Sequence, residues 1–278
     1  MKRRAGRRGV PVDARAALRG EIEQALALLA RPSLTDDSIH ALRQGLKRAR
    51  AALRLGRDAV PDVAYEKENK SLRDAARPLA RARDSAALLE LMEELLASRK
   101  LRRYRPVFVR VRAALRQSHA RLLLAARGAR TIGRMRRLLE GSLERTARWR
   151  LPRDARLVYR GGLRRIYRKG CEELHTALAQ ERPQALHEWR KQVKYLGAAL
   201  AIATPGAARE RKAMKVADEI ARRLGDDHDL AMLTAALRRT AADRALKGKL
   251  EKKRQRLQKR AIKLARRLDE HCRPLLRY

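Results

Sequence analysis

One motif occurs twice in this chain, and it narrows what the chain can fold into more than any other feature. Residues 39–54 read IHALRQGLKRARAALR, and residues 186–200 read LHEWRKQVKYLGAAL. In each copy a His is followed by a basic residue three positions on and another seven positions on. The triplets are His40, Arg43 and Lys47, then His187, Arg190 and Lys194. At about 100° per residue, three such side chains fall within roughly 60° of a helix surface. Ile39, Leu42, Leu46, Ala49 and Leu53 form the adjoining apolar stripe, matched by Leu186, Trp189, Val193, Leu196 and Leu200. Each copy is therefore predicted to be a helix with one edge in a core and a cationic edge beside it.

The repetition extends past these helices. Leu79 to Asp84 lines up with Leu224 to Asp229, and the spacing from the His is nearly kept: 84 − 40 = 44 positions in one half, 229 − 187 = 42 in the other. One duplicated helical unit, built as two bundles about a pseudo-twofold axis, accounts for this. Composition agrees, since Ala and Leu carry most of the 45% hydrophobic share while aromatics make up 3%. That bias favours helix nearly throughout. The predicted organisation is a flexible basic tail over 1–14 and an all-α domain over 15–275. Within the domain, lobe 1 covers about 15–128, a linking helix 129–149, and lobe 2 about 150–275. Residues 63–83 read as helical with Pro78 as a kink or break, and a further helix is expected over 84–98. Helices over 208–224 and 227–242 are separated near Gly225, and the last helix runs from about 247 to 270.

Seventy Lys and Arg against 31 Asp and Glu give a net charge of 70 − 31 = +39. A fold this basic repels itself and calls for a polyanionic partner. Nucleic acid, an anionic membrane surface and inorganic polyphosphate all qualify. The longest uncharged stretch, Tyr195 to Ala208, contains Pro205 and is shorter than the ~20 residues a membrane span needs. Two cysteines, Cys171 and Cys272, are too few for a disulfide framework and suit a reducing compartment. The N-terminus lacks the apolar core of a secretory signal. The expectation is a soluble cytoplasmic protein.

The paired H-x-x-R-x-x-x-K helices, the GLRRIYRK run at 162–169 and the LGDDHDL segment at 224–230 resemble the CHAD (conserved histidine α-helical domain) family over about residues 15–275. The resemblance implies two related helical bundles around a basic central groove. It also implies binding of inorganic polyphosphate, often with recruitment to polyphosphate granules. On it, His40, Arg43, Lys47, Arg50, His187, Arg190 and Lys194 fall on positions that line the basic surface. Two departures stand out. Where the family usually adds a basic residue and an aromatic to the second motif, this chain has Gly197 and Ala198, so the second wall is expected to carry less charge. The triphosphate-tunnel domain that precedes the helices in many members is not expected here either.

Polyphosphate carries a charge on every unit and no bases, so its binder needs rows of forked and mobile cations rather than edge-reading groups. Arg54 continues the first row. Arg160, Arg164 and Arg168 form another, Lys191 adjoins the second motif, and Lys253, Arg256 and Arg260 start a row on the last helix. Solvated faces of amphipathic helices would show the same spacing. His40 and His187 are candidates as ligands, core residues or proton-dependent anion contacts, and the last would tighten binding as pH falls toward 6. Asp84 and Asp229, expected near helix starts, would either favour the positive helix end or orient basic partners. Glu66 to Lys70 matches the E-x-E-x-K pattern of tunnel enzymes, but that chemistry needs a strand and the flanking pattern is helical. No acidic metal cluster, activated nucleophile or phosphate-cradling Gly loop is evident, so a non-enzymatic role with no cofactor and no metal is expected. Non-specific DNA or RNA binding is the alternative. Against base readout, Phe108 is the only Phe, and Trp149 and Trp189 are the only Trp.

Overall fold

Amphipathic periodicity becomes nine helices among the described residues of the computed structural model, which are 13–149, 155–180, 183–203, 208–237 and 244–276. In order they are α1 (Ala14–Leu29), α2 (Asp36–Leu55), α3 (Asp62–Ala97), α4 (Arg105–Arg127), α5 (Ala129–Ala147), α6 (Ala155–Gln180), α7 (Pro183–Ala203), α8 (Ala208–Leu237) and α9 (Arg244–Leu276). Short 3-10 turns at Arg57–Ala59 and Arg99–Tyr104 lead into α3 and α4. The two motif helices are α2 and α7. Helix α2 starts where Thr35 Oγ1 accepts from the Ser38 amide at 3.1 Å, with Asp36 and Asp37 in the first turn facing the positive helix end.

Burial of the apolar stripes sorts the helices into three cores. Leu18 and Ile22 of α1, Leu42 and Leu46 of α2, and Leu72 and Leu79 of α3 form the first, together with Met135 and Leu139 of α5. The segment anticipated as a linker, α5, thus also packs into the first half. Leu163 and Ile166 of α6, Trp189 and Val193 of α7, Ile220 of α8 and Leu268 of α9 form the second. The third joins the halves: Leu88 and Met92 of α3 and Phe108 of α4 meet Leu233 of α8 and Leu250 of α9.

Two long helices run through positions read as breaks. Helix α3 passes Pro78 without ending. Pro removes one backbone hydrogen bond, and the burial of Ala75, Leu79 and Ala82 on both sides of it outweighs that loss. Helix α8 likewise continues through Gly225, Asp226 and Asp227. In consequence Asp84 and Asp229 sit deep inside long helices, where the terminal dipole no longer reaches. The last helix extends on both sides of its predicted limits.

The tail anticipated over 1–14 lies outside the described residues except at its end. There Asp13 caps α1 by accepting from the Arg15 amide at 2.8 Å, and the Ala14 amide donates to Tyr159 Oη at 2.6 Å. The break anticipated at 151–154 and the Thr204-Pro205-Gly206 stop also lie outside the described residues. Helix α2 packs directly on α6 and α7. At Gly162 of α6 the approach is so close that a Cβ would stand 2.0 Å from the Leu55 carbonyl oxygen.

Candidate functional site

Because α2 packs on α7, the cationic edges of the two motifs adjoin. Arg43 and Lys47 come from α2, and Arg190 and Lys194 from α7. Burial takes the Lys47 ammonium from an ordinary 10.5 down to about 7, and Lys194 is the strongest neighbouring charge acting the same way. Lys194 is lowered to about 8, first by burial and then by Arg190, while Asp218 opposes the shift. Burial also lowers Arg43 and Arg190. These cations lose water without gaining enough counter-charge to compensate.

A fifth cation, Arg83 of α3, was not singled out from the sequence. Its Nε donates to His40 Nδ1 at 2.7 Å, its charge acts on Arg43, Arg190 and Lys194, and its Nη1, buried without a hydrogen-bond partner, lies 3.4 Å from Glu90 Oε1. With Nδ1 accepting from Arg83, the ring proton of neutral His40 sits on Nε2. His187 holds the matching place in the second half and meets His228, ring centroids 4.9 Å apart. Burial, then His228, pushes His187 down to about 4. His40 is lowered as well, by burial first and Arg83 second. Both motif histidines are therefore neutral near pH 7 in the free protein, and His40 orients a cation rather than supplying one. The readable signal for Arg83 was the repeat itself. It precedes Asp84 as His228 precedes Asp229.

Carboxylates from α3 and α8 face these cations. Asp84 Oδ1 lies 3.6 Å from Arg43 Nη2. Asp229 is the strongest charge favouring the Arg190 cation, with Asp84 and Asp226 behind it. Asp218 faces Lys194. Burial raises Asp218, Asp226 and Asp229. Asp84 thus pairs with Arg43 and Asp229 lends its charge to Arg190, the second of the two roles considered for them. Arg190 Nε donates to the Ala221 carbonyl at 2.9 Å, and a Cβ on Gly225 would lie 2.8 Å from Arg190 Nη2. The Gly in LGDD is therefore clearance for a guanidinium, not a helix stop.

The remaining predicted residues divide. Arg50 and Arg54 lie 5.7 and 4.0 Å from the Tyr195 ring of α7, and Arg50 Nε donates to Asn69 Oδ1 at 3.2 Å. They tie the halves together beside the cluster. Lys191 is exposed and pairs with Glu188. Arg160, Arg164 and Arg168 are exposed on α6, where Arg164 Nε donates to the Leu276 carbonyl at 2.8 Å. Lys253, Arg256 and Arg260 are exposed on α9, and Lys253 acts on Asp226. Gly197, read as a thinned part of the second wall, is buried instead, where a Cβ would stand 3.6 Å from Ala217 Cβ on α8. Its smallness serves helix packing.

In the E-x-E-x-K segment Glu66 is exposed. Glu68 is buried and accepts from Ser142 Oγ and Arg145 Nε at 2.5 Å. Among the described residues, no group of three or more His, Cys, Asp or Glu is placed to hold a metal ion. None of their helices is long and apolar enough to cross a membrane.

The sequence profile of the CHAD domain matches residues 16–238, well over half of the chain. Two solved structures share the fold. One is the CHAD domain from the plant Ricinus communis, 17% identical, with a TM-score of 0.59 over 98% of this chain and 94% of that one. The other is PptA from Streptomyces chartreusis, 16% identical, with a TM-score of 0.62 over 94% of this chain and 98% of that one. No curated protein sequence matches significantly.

Proposed function

The chain belongs to the CHAD domain family, and we propose that it binds inorganic polyphosphate, without turning it over, at the cations of α2, α3 and α7. The observation that carries this reading is the juxtaposition of two desolvated lysines from different halves, Lys47 and Lys194. Holding like charges together out of water is unfavourable, and a dense anion relieves both costs at once. Such a site is set in place before the ligand arrives, so little reorganisation opposes binding. The exposed rows on α6 and α9 extend the positive surface along which a long chain would continue. The same reading puts the protein at polyphosphate granules in the cytoplasm.

Those exposed rows would also attract DNA or RNA, so competition is the deciding experiment. Labelled polyphosphate is displaced by DNA, RNA and heparin at matched charge, between about 50 and 200 mM salt. Non-specific attraction to DNA through ~6–10 phosphate contacts loses about 10³–10⁵ in affinity over that range. Polyphosphate is expected to remain bound while the others fall away. If all four fade together, the protein is a general polyanion binder.

Binding is also expected to depend on pH through the lysines rather than the histidines. In the free protein Lys47 and Lys194 titrate at about 7 and about 8, and a bound polyanion raises both. Below pH 7 both are already charged, so affinity is level there. As pH rises past 7 and 8 each must take up a proton on binding, and affinity falls with a slope approaching two protons. His187, at about 4, contributes nothing in this window. Isothermal titration between pH 6 and 9 measures the slope, which should shrink in Lys47→Arg. An unchanged slope in that variant would assign the dependence elsewhere.

A further inference from the structure

Four of the five cations at this site stand on helices that carry none of its aspartates, and the fifth, Arg83, shares α3 with Asp84. Arg43, Lys47, Arg190 and Lys194 stand on α2 and α7, while Asp84 stands on α3 and Asp218, Asp226 and Asp229 on α8. The free site is thus partly, not fully, offset by carboxylates. Arg43 reaches Asp84 at 3.6 Å, Arg190 is balanced chiefly by Asp229, and Lys194 by Asp218. None of these pairings is strong. Asp84 is 46% exposed at a distance too long for a hydrogen bond, and burial holds Asp229 in an unfavourable setting.

We propose that Asp84 and Asp229 are specificity-determining residues that exclude weakly charged polyanions from the site. The inference rests on the polyphosphate reading above. An incoming anion must displace Asp84 from Arg43 and then remain beside it, while Asp229 adds its negative field at Arg190. A phosphodiester brings one charge per unit, diluted by sugar and base, and exchanges one modest ion pair for another. A condensed phosphate chain brings a charge on every unit with nothing between, so it engages several cations for each carboxylate it displaces. The carboxylates therefore act against both ligands, but only the denser one compensates for the like-charge contact. Specificity here is a difference of affinities created by a repulsive element. Asp84 beside Arg43 and Glu90 beside Arg83, at 3.6 and 3.4 Å, also offset part of the repulsion among the five cations.

The test is Asp84→Asn with Asp229→Asn in the full chain, read as the ratio of dissociation constants for DNA and long-chain polyphosphate at fixed salt and pH. The variant is expected to bind DNA at least ~10-fold tighter while polyphosphate gains no more than ~3-fold, so the preference narrows. A structural role alone would move both ligands together, and an unchanged ratio would overturn the proposal. The single variant Asp84→Asn, at the more exposed position, is expected to show a smaller shift in the same direction and serves if the double variant does not fold. Asp84→Glu should restore the wild-type ratio. The wild-type ratio separates the two levels of inference. A wild type with no preference for polyphosphate would overturn the binding reading and this proposal with it. A wild-type preference that both substitutions leave unchanged in size would overturn this proposal alone.

Discussion

Reversing Arg43 and Lys47 together to Glu is expected to lower polyphosphate affinity by on the order of 10²–10³, because each is a desolvated cation and loss of such a partner typically costs 2–5 kcal/mol. Reversing Arg3 and Arg4, which subtracts the same charge at the N-terminus, should cost less than ~10-fold through the long-range field alone. Equal losses would mean diffuse attraction with no site.

The change at position 47 by itself should not weaken the fold. Lys47 faces Lys194, and burial with that neighbour holds its ammonium at about 7 against an ordinary 10.5. A carboxylate at position 47 would exchange repulsion for attraction. Lys47→Met isolates the effect. With a folded pKa near 7 and an unfolded value near 10.5, the unfolded chain binds the extra proton between those limits. Stability therefore rises with pH from about 7 to about 10.5, and the penalty is fully present below 7. Lys47→Met should melt higher than wild type at pH 6 and lose that rise, while binding polyphosphate more weakly. Gain in stability with loss of binding would mark a residue retained for its ligand.

Gly162→Ala is expected to be among the most damaging small substitutions in the chain. Its Cβ would stand 2.0 Å from the Leu55 carbonyl oxygen, 2.8 Å from the carbonyl carbon and 2.9 Å from the Leu55 Cα. All three are backbone atoms of α2, which cannot swing aside as a side chain could. The helices would have to separate at a crossing flanked by the Arg165–Asp58 ion pair and the Arg165 Nη2 bond to the Arg54 carbonyl at 3.2 Å. Overpacking commonly costs 1–3 kcal/mol and more where nothing can yield, so a loss of about 3–5 kcal/mol is expected. In a chain of this size that lowers Tm by on the order of 10 °C. Gly20→Ala is the control, since nothing lies within 4 Å of its Cβ. Replacing a helical Gly there should raise stability by roughly 0.5–1 kcal/mol. A Gly162→Ala protein that melts like wild type would refute the close approach.

The sequence by itself determined the helical class, the duplicated motif and the identity of four of the five central cations, because 3.6-residue periodicity and a repeated spacing are written in one dimension. Pro78 and Gly225 show where that reading stops. Each is a breaker by local chemistry, and each is overridden inside a long helix, by burial of its neighbours at Pro78 and by clearance for Arg190 at Gly225. Gly197 was read as missing charge and instead fits a helix contact. Only the tertiary structure decided that the two cationic edges adjoin, that Arg83 joins them through His40, and that α3 and α8 supply the opposing carboxylates. Charge state was decided there too. His40 and His187 are neutral, and Lys47 and Lys194 titrate near neutrality, because desolvation depends on what covers a group in space, and no spacing along a chain encodes that.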